Sequence, residues 1–127
     1  MFESSTRLAE DVRALLDSLR ALAHGRYAAI LAHLTLGEDA EAHRQASRLQ
    51  EEPPEAFPPD VADALAALAA GDRSGYAEAA GRVLRSFEER DAYLEDIPVA
   101  DTVMVLEALA AQRGIAAHPS SPLLPGR

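Results

Sequence analysis

Apolar residues recur at spacings of three and four along most of the chain, which is the period of an α-helix. The first segment shows the rhythm in Leu8, Val12, Leu15, Leu19 and Leu22. Alternating runs of β-branched residues, which would indicate strands, are missing from the sequence. We therefore predict an all-α fold, a compact helical bundle of about five or six helices.

Glycines and prolines divide this pattern into segments. We expect a first helix that is capped by the Ser and Thr residues at positions 4–6 and ends near Gly25. A short, buried second helix should follow and stop at Gly37. The polar stretch 38–52 predicts a third helix that is mostly solvated, with Ala42, Ala46 and Leu49 as its inner positions.

The Pro-rich stretch 53–59 is predicted to be a stiff linker anchored by Phe57, because each proline disfavours helical geometry in the residue before it. In the helix that follows, Asp60 and Asp63 lie near the start, where we expect them to act as capping acids. Gly71 should end that helix, and Asp72 should cap the next one.

We expect the helix after Asp72 to continue as far as Ile97, and the last helix to cover 99–113. The last helix is apolar on nearly every side, so we predict that it is the central and most buried one. Gly114 should stop it. Residues 1–115 are then a single helical domain, and the Pro-rich tail 116–127 either docks on the bundle or is disordered.

Composition excludes several classes of function. The chain has no Cys, so disulfides and thiolate zinc sites are ruled out, and it has no Lys, which rules out a Schiff base or a Walker-type phosphate loop. A formal net charge of -9 disfavours binding to nucleic acid, and no run of the sequence is apolar enough for a membrane span. We expect a cytoplasmic protein, and its Ala- and Arg-rich composition is typical of a bacterium with GC-rich codons.

Acidic residues are concentrated between the last two predicted helices. Residues 87–101 carry a net charge of -5. An acidic surface favours a basic partner, so we predict that this segment binds one. The predicted contact residues are Glu88, Glu89, Asp91, Glu95 and Asp96.

One arginine falls within the acidic segment at a core-facing position of the helical rhythm. Arg90 must be paired if it is buried, because a lone charge in a dry interior is costly. It is either a structural tie to a carboxylate such as Asp101 or Glu107, or a residue at the mouth of a functional groove. Of the two interpretations we favour the structural tie.

Catalytic and metal-binding motifs are missing from the sequence. It has no Gly-x-Ser-x-Gly elbow, no His-Glu-x-x-His pair and no phosphate-binding glycine loop. His24, His33 and His43 are nine and ten residues apart, a spacing that does not align ligands on one helix face. We expect no enzyme activity, no metal and no cofactor.

The second half of the chain carries a series of short sequence elements. They include Ala70-Gly71-Asp72, Glu89-Arg90, 97–101, Arg113-Gly114-Ile115 and 121–125. In this series the chain resembles the C-terminal part of the bacterial proteins grouped as immunity protein 49, all-α proteins of polymorphic toxin systems. The resemblance implies that the protein binds and neutralises a cognate toxin and performs no chemistry.

Two other functions remain open. A helical adaptor or self-associating module would be supported by a homodimer, for example one that exchanges Leu123 and Leu124 of the tail. A small metal- or carboxylate-dependent enzyme would need the fold to gather scattered residues such as His24 and His33 into one pocket.

Overall fold

The computed structural model describes residues 2–88 and 99–119, and the side chains of residues 7–86 and 102–119. Every regular element within these ranges is an α-helix, which confirms the predicted all-α class. The five helices are α1 (Phe2–Thr35), α2 (Asp39–Gln50), α3 (Pro59–Ala70), α4 (Arg73–Glu88) and α5 (Val99–Gln112). None of them combines the length and the apolar character that crossing a membrane requires.

Helix α1 is continuous through Gly25, so the predicted division into two helices is wrong. A glycine inside a helix costs only about 1 kcal/mol relative to alanine, which is too little to break a helix held by packing on both sides of it. Ala23 and Ile30, which flank Gly25, are both fully buried. The helix also begins at Phe2, before the 4–6 cluster that was predicted to cap it.

Within the described part of the chain, it is mainly the C-terminal half of α1 that packs against other helices. At ~1.5 Å per residue its 34 residues span about 51 Å. Ala23, Ile30 and Leu34 are buried, and α2 packs along this half. Most of residues 7–22 are exposed.

Helix α3 occupies the centre of the fold, because it packs against α2, α4 and α5. The prediction that the last helix is the most buried is wrong. Helix α5 buries Val103, Leu106 and Leu109 on one face, whereas Met104 and Val105 are exposed. The neighbours of α5 in the described part of the chain therefore cover only some of its apolar side chains.

The turn between α3 and α4 follows from two adjacent residues. Gly71 has a φ of +69°, a left-handed conformation that residues with a Cβ rarely adopt. The amide of Asp72 donates to the carbonyl of Ala67 (2.9 Å), which closes the end of α3. The carboxylate of Asp72 accepts from the amide of Gly75 (3.0 Å) and so caps the start of α4.

The linker between α2 and α3 is held against α1 by aromatic contacts. Phe57 is buried, and its ring lies 5.4 Å from the ring of Tyr27 and 6.4 Å from that of His24. Arg20 donates to the carbonyl of Glu55 (3.0 Å) from the same stretch of α1. Phe57 is therefore an anchor, as the sequence predicted.

Helix α5, like α3, ends at a left-handed glycine. Gly114 has a φ of +70°, and the amide of Ile115 donates to the carbonyl of Ala110 (2.9 Å). Ile115 is buried in the core directly after this turn. Arg73 donates to the carbonyl of Gly114 (2.7 Å), so the end of α5 is tied to the start of α4.

Candidate functional site

The predicted acidic site lies where the chain passes from α4 to α5. Glu88 is the last residue of α4, and Asp101 is in the first turn of α5. Glu89, Arg90, Asp91, Glu95 and Asp96 lie outside the described residues, so the predicted contact set and the pairing of Arg90 stay predictions. The chain itself requires that residues 89–98 connect the C-terminal end of α4 to the N-terminal end of α5.

Glu107, one of the two acids predicted as a partner for Arg90, accepts hydrogen bonds from other groups. The hydroxyl of Tyr76 donates to its Oε2 (2.5 Å). The amides of Ala117 and His118 donate to Oε2 (3.0 Å) and Oε1 (2.6 Å), respectively. Three donors thus converge on one carboxylate, which ties α4, α5 and the first residues of the tail together.

Tyr76 is fully buried, and this environment changes its acidity. Burial raises the pKa of the Tyr76 hydroxyl well above its ordinary value of 10.0, and the bond to the Glu107 carboxylate raises it further. The hydroxyl therefore stays protonated and acts as a hydrogen-bond donor at neutral pH. The geometry supports a structural role for the pair.

Arg113 forms a junction that the sequence did not reveal. Its Nη2 lies 2.6 Å from Oδ1 of Asp39, and its Nε lies 3.1 Å from Oδ2 of the same carboxylate. It also donates to the carbonyls of Leu34 (2.7 Å) and Leu109 (3.0 Å). One guanidinium therefore joins the end of α1, the start of α2 and the end of α5.

The two acids that were expected to cap α3 both form ion pairs with Arg82. Its Nε lies 3.1 Å from Oδ1 of Asp60, and its Nη2 lies 3.3 Å from Oδ2 of Asp63. The N-cap position of α3 is Pro58, and no side chain caps it. Asp60 lies in the first turn of α3 as predicted, but no side chain caps the helix; Asp60 and Asp63 instead bind Arg82, which fixes α4 on α3.

The histidines that could have formed a metal or catalytic site are separated by their contacts. His24 packs edge-on against Phe57, whereas Nδ1 of His33 lies 3.0 Å from Oε1 of Glu38. Among the described residues, no group of three or more His, Asp or Glu side chains is arranged to hold a metal ion.

The exposed apolar side chains of α1 are the feature that sequence analysis did not recognise as a surface. The fraction exposed is 64% for Leu8, 49% for Val12, 60% for Leu15 and 64% for Leu22. The helical rhythm of these residues was visible in the sequence. Their exposure was not, because the same rhythm is typical of a helix that faces its own core.

The chain matches no protein-family model, no curated protein and no solved structure. The resemblance of its second half to immunity protein 49 therefore stays a prediction.

Proposed function

We propose that this protein is a non-catalytic binding protein that recognises a basic protein surface through the acidic segment around 88–96. The observation that carries the proposal is the distribution of charge. Residues 87–101 hold a net charge of -5 out of a total of -9. The remaining -4 is spread over the rest of the chain, so the negative charge is densest in this segment and attracts a positively charged partner most strongly there.

Ion pairs within the protein support this assignment. Several arginines of the helical body lie against carboxylates of the same chain: Arg26 against Glu52 (3.2 Å), Arg44 against Glu41 (2.5 Å), and Arg82 and Arg113 as described above. These pairs neutralise one another locally. The acids of the segment outnumber its one arginine, so most of their negative charge is not neutralised within the segment. The electric field of these acids is therefore available to attract a basic partner.

Toxin immunity is the form of this function that we favour. Many toxin domains have cationic active sites that bind nucleic acid, and an acidic protein surface can occupy such a site in place of the phosphates. Complementary charge also accelerates the encounter, which suits an inhibitor that must act before its target does damage. The family resemblance of the second half implies the same function.

The proposal is tested by capturing partners of the tagged protein from its own bacterium at low and at high salt. A basic protein should be retained, and more of it at low salt, because screening weakens attraction between exposed charges. The affinity is then measured for a variant with Arg at 88, 89, 91, 95 and 96. We expect binding to weaken by at least about 100-fold, since five favourable charges become repulsive.

A matched control separates the acidic segment from net charge alone. Five exposed acids elsewhere in the chain, replaced by Arg, give the same change in net charge: Glu10, Asp11, Asp17, Glu51 and Glu55. This control should keep most of the affinity. Equal affinities of the two variants would refute the segment as the contact site, and capture of no basic protein would refute the function.

A further inference from the structure

The N-terminal half of α1 presents an apolar stripe that the other described parts of the protein leave largely uncovered. We define the α1 stripe as Leu8, Val12, Leu15, Leu19 and Leu22. The alternating spacings of four, three, four and three between these residues are those of positions a and d in a coiled-coil heptad. Four of the five side chains are exposed to about half or more of their surface, and Leu19 is half-buried.

Charged residues of the same segment lie on the opposite side of the helix. Glu10, Arg13, Asp17 and Arg20 lie roughly a third to a half of a turn from the centre of the stripe at ~100° per residue. Asp17 and Arg20 already form an ion pair of 3.6 Å. The stripe therefore offers an approaching molecule apolar side chains and almost no charge.

We propose that the α1 stripe is a dimerisation surface and that its occupant is the α1 stripe of a second copy of this chain, aligned in parallel and in register. In a parallel pair, each of the five stripe residues faces the same residue of the other copy. Leu8, Leu15 and Leu22 are at position d, and Val12 and Leu19 are at position a. Leu at every d position and a β-branched residue, Val12, at one of the two a positions agree with the pattern that favours two parallel strands. In an antiparallel pair, position a of one copy would face position d of the other. One of the five stripe residues would then have no apolar residue opposite it.

The charges beside the stripe are compatible with this arrangement. Asp11 is at position g, and the facing e position of a parallel partner is Leu16. No acid of one copy is thus placed directly against an acid of the other. This surface is also distinct from the acidic segment, so the inference does not depend on the proposed function.

The size of the stripe predicts a reversible dimer. A Val or Leu side chain that is fully buried removes roughly 60–120 Å² from water, so ten half-exposed side chains bury on the order of 500 Å² or somewhat more. Flanking residues add to this area, but the total stays near or below the ~1,200 Å² at the low end of stable interfaces. We therefore expect a dissociation constant in the range of roughly 1–100 µM.

Sedimentation equilibrium of the full chain tests the inference. From about 1 µM to about 500 µM, the mass should rise from the 13.6 kDa of the monomer toward twice that value. Leu15→Glu places two carboxylates in the central layer and should weaken the dimer at least about 100-fold. Because Leu15 is 60% exposed, circular dichroism should show an intact fold.

Leu36→Glu is the matched control, since Leu36 is 73% exposed and lies outside the stripe. It should leave the dissociation constant unchanged. A wild-type protein that stays monomeric at every concentration, or a dimer that Leu15→Glu does not weaken, would overturn the inference.

Because the sequence has no Cys, single cysteines can be introduced to test the orientation of the two helices. Leu8→Cys and Leu22→Cys should each form a disulfide-linked dimer on mild oxidation, because identical residues face each other only in the parallel register. Cross-linking only in a mixture of Val12→Cys and Leu22→Cys would show an antiparallel pair and would overturn the parallel arrangement.

Discussion

Replacing Arg113 tests whether a single guanidinium holds three helices together. Its side chain is only 12% exposed, and it makes two bonds to Asp39 and one each to the carbonyls of Leu34 and Leu109. Arg113→Met keeps most of the aliphatic stem and removes all four bonds. The change therefore isolates the contribution of the guanidinium.

The magnitude follows from the surroundings of each partner. Hydrogen bonds to a charged group contribute about 1.5–3 kcal/mol each, but Asp39 is 38% exposed and regains water when Arg113 is lost. The carbonyl of Leu34 also keeps its bond from the amide of Gly37 (3.2 Å). We therefore expect a total loss of about 2–3 kcal/mol in the free energy of unfolding.

This loss should lower the melting temperature by about 8–12 °C, at about 4 °C per kcal/mol for a chain of this size. Urea unfolding followed by circular dichroism measures the free energy directly. Arg113→Lys should recover less than half of the loss, because a lysine ammonium cannot bind the carboxylate with two nitrogens and both carbonyls as well.

Two measurements decide whether the reasoning holds. The control Arg13→Met alters an exposed arginine of α1 and should change stability by less than about 0.5 kcal/mol. A double-mutant cycle of Arg113→Met with Asp39→Asn should give a coupling of at least about 1 kcal/mol. Additive effects, or a loss for Arg113→Met no greater than that of the control, would refute the junction.

Three further predictions concern backbone conformation and pH. Gly25→Ala should raise the free energy of unfolding by about 0.5–1 kcal/mol, because Gly25 lies inside α1 and a Cβ there meets no atom within 4 Å. Gly71→Ala should lower it by about 1–2 kcal/mol, since its φ of +69° is strained for alanine. Because the pKa of Tyr76 is higher in the folded protein than the value of 10.0 in the unfolded chain, the protonated hydroxyl stabilises the fold. This stabilisation is complete below pH 10.0 and is lost as the pH rises above that value. Tyr76→Phe should therefore reduce the fall in the free energy of unfolding between about pH 10 and 11 by about 1 kcal/mol, measured by urea unfolding.

Each of these predictions has a result that contradicts it. A destabilised Gly25→Ala variant would mean that α1 does not continue through this residue. A neutral Gly71→Ala variant would be incompatible with a left-handed turn. Alkaline slopes that are equal for the wild type and Tyr76→Phe would show that the Tyr76 hydroxyl is not buried against Glu107, and Tyr27→Phe provides the comparison with the other tyrosine whose pKa burial raises.

Several features could be predicted because they depend on neighbours within a few residues. The helical class follows from the three-four rhythm, and the turn at Gly71 and Asp72 follows from the short-range geometry of helix ends. The inner positions of α2 were also correct: Ala42, Ala46 and Leu49 are buried. Local sequence contains the information for each of these.

Other predictions were wrong because they required knowing which elements meet. Gly25 was interpreted as a helix end, although packing on both sides of it outweighs the small cost of a glycine. Asp60 and Asp63 were expected to cap their own helix, although their carboxylates bind an arginine from α4. In both cases a tertiary contact outweighed a local preference.

The sequence by itself determined that this chain is helical, where several of its helices end, and that its negative charge is concentrated between α4 and α5. Only the tertiary structure decided that α3 is central, that Arg113 reaches Asp39 across 74 residues, and that the α1 stripe is exposed. The physical reason is the range of the interactions. Helix formation and capping act over about four residues, whereas the burial of a helix face depends on how far the other helices extend along it.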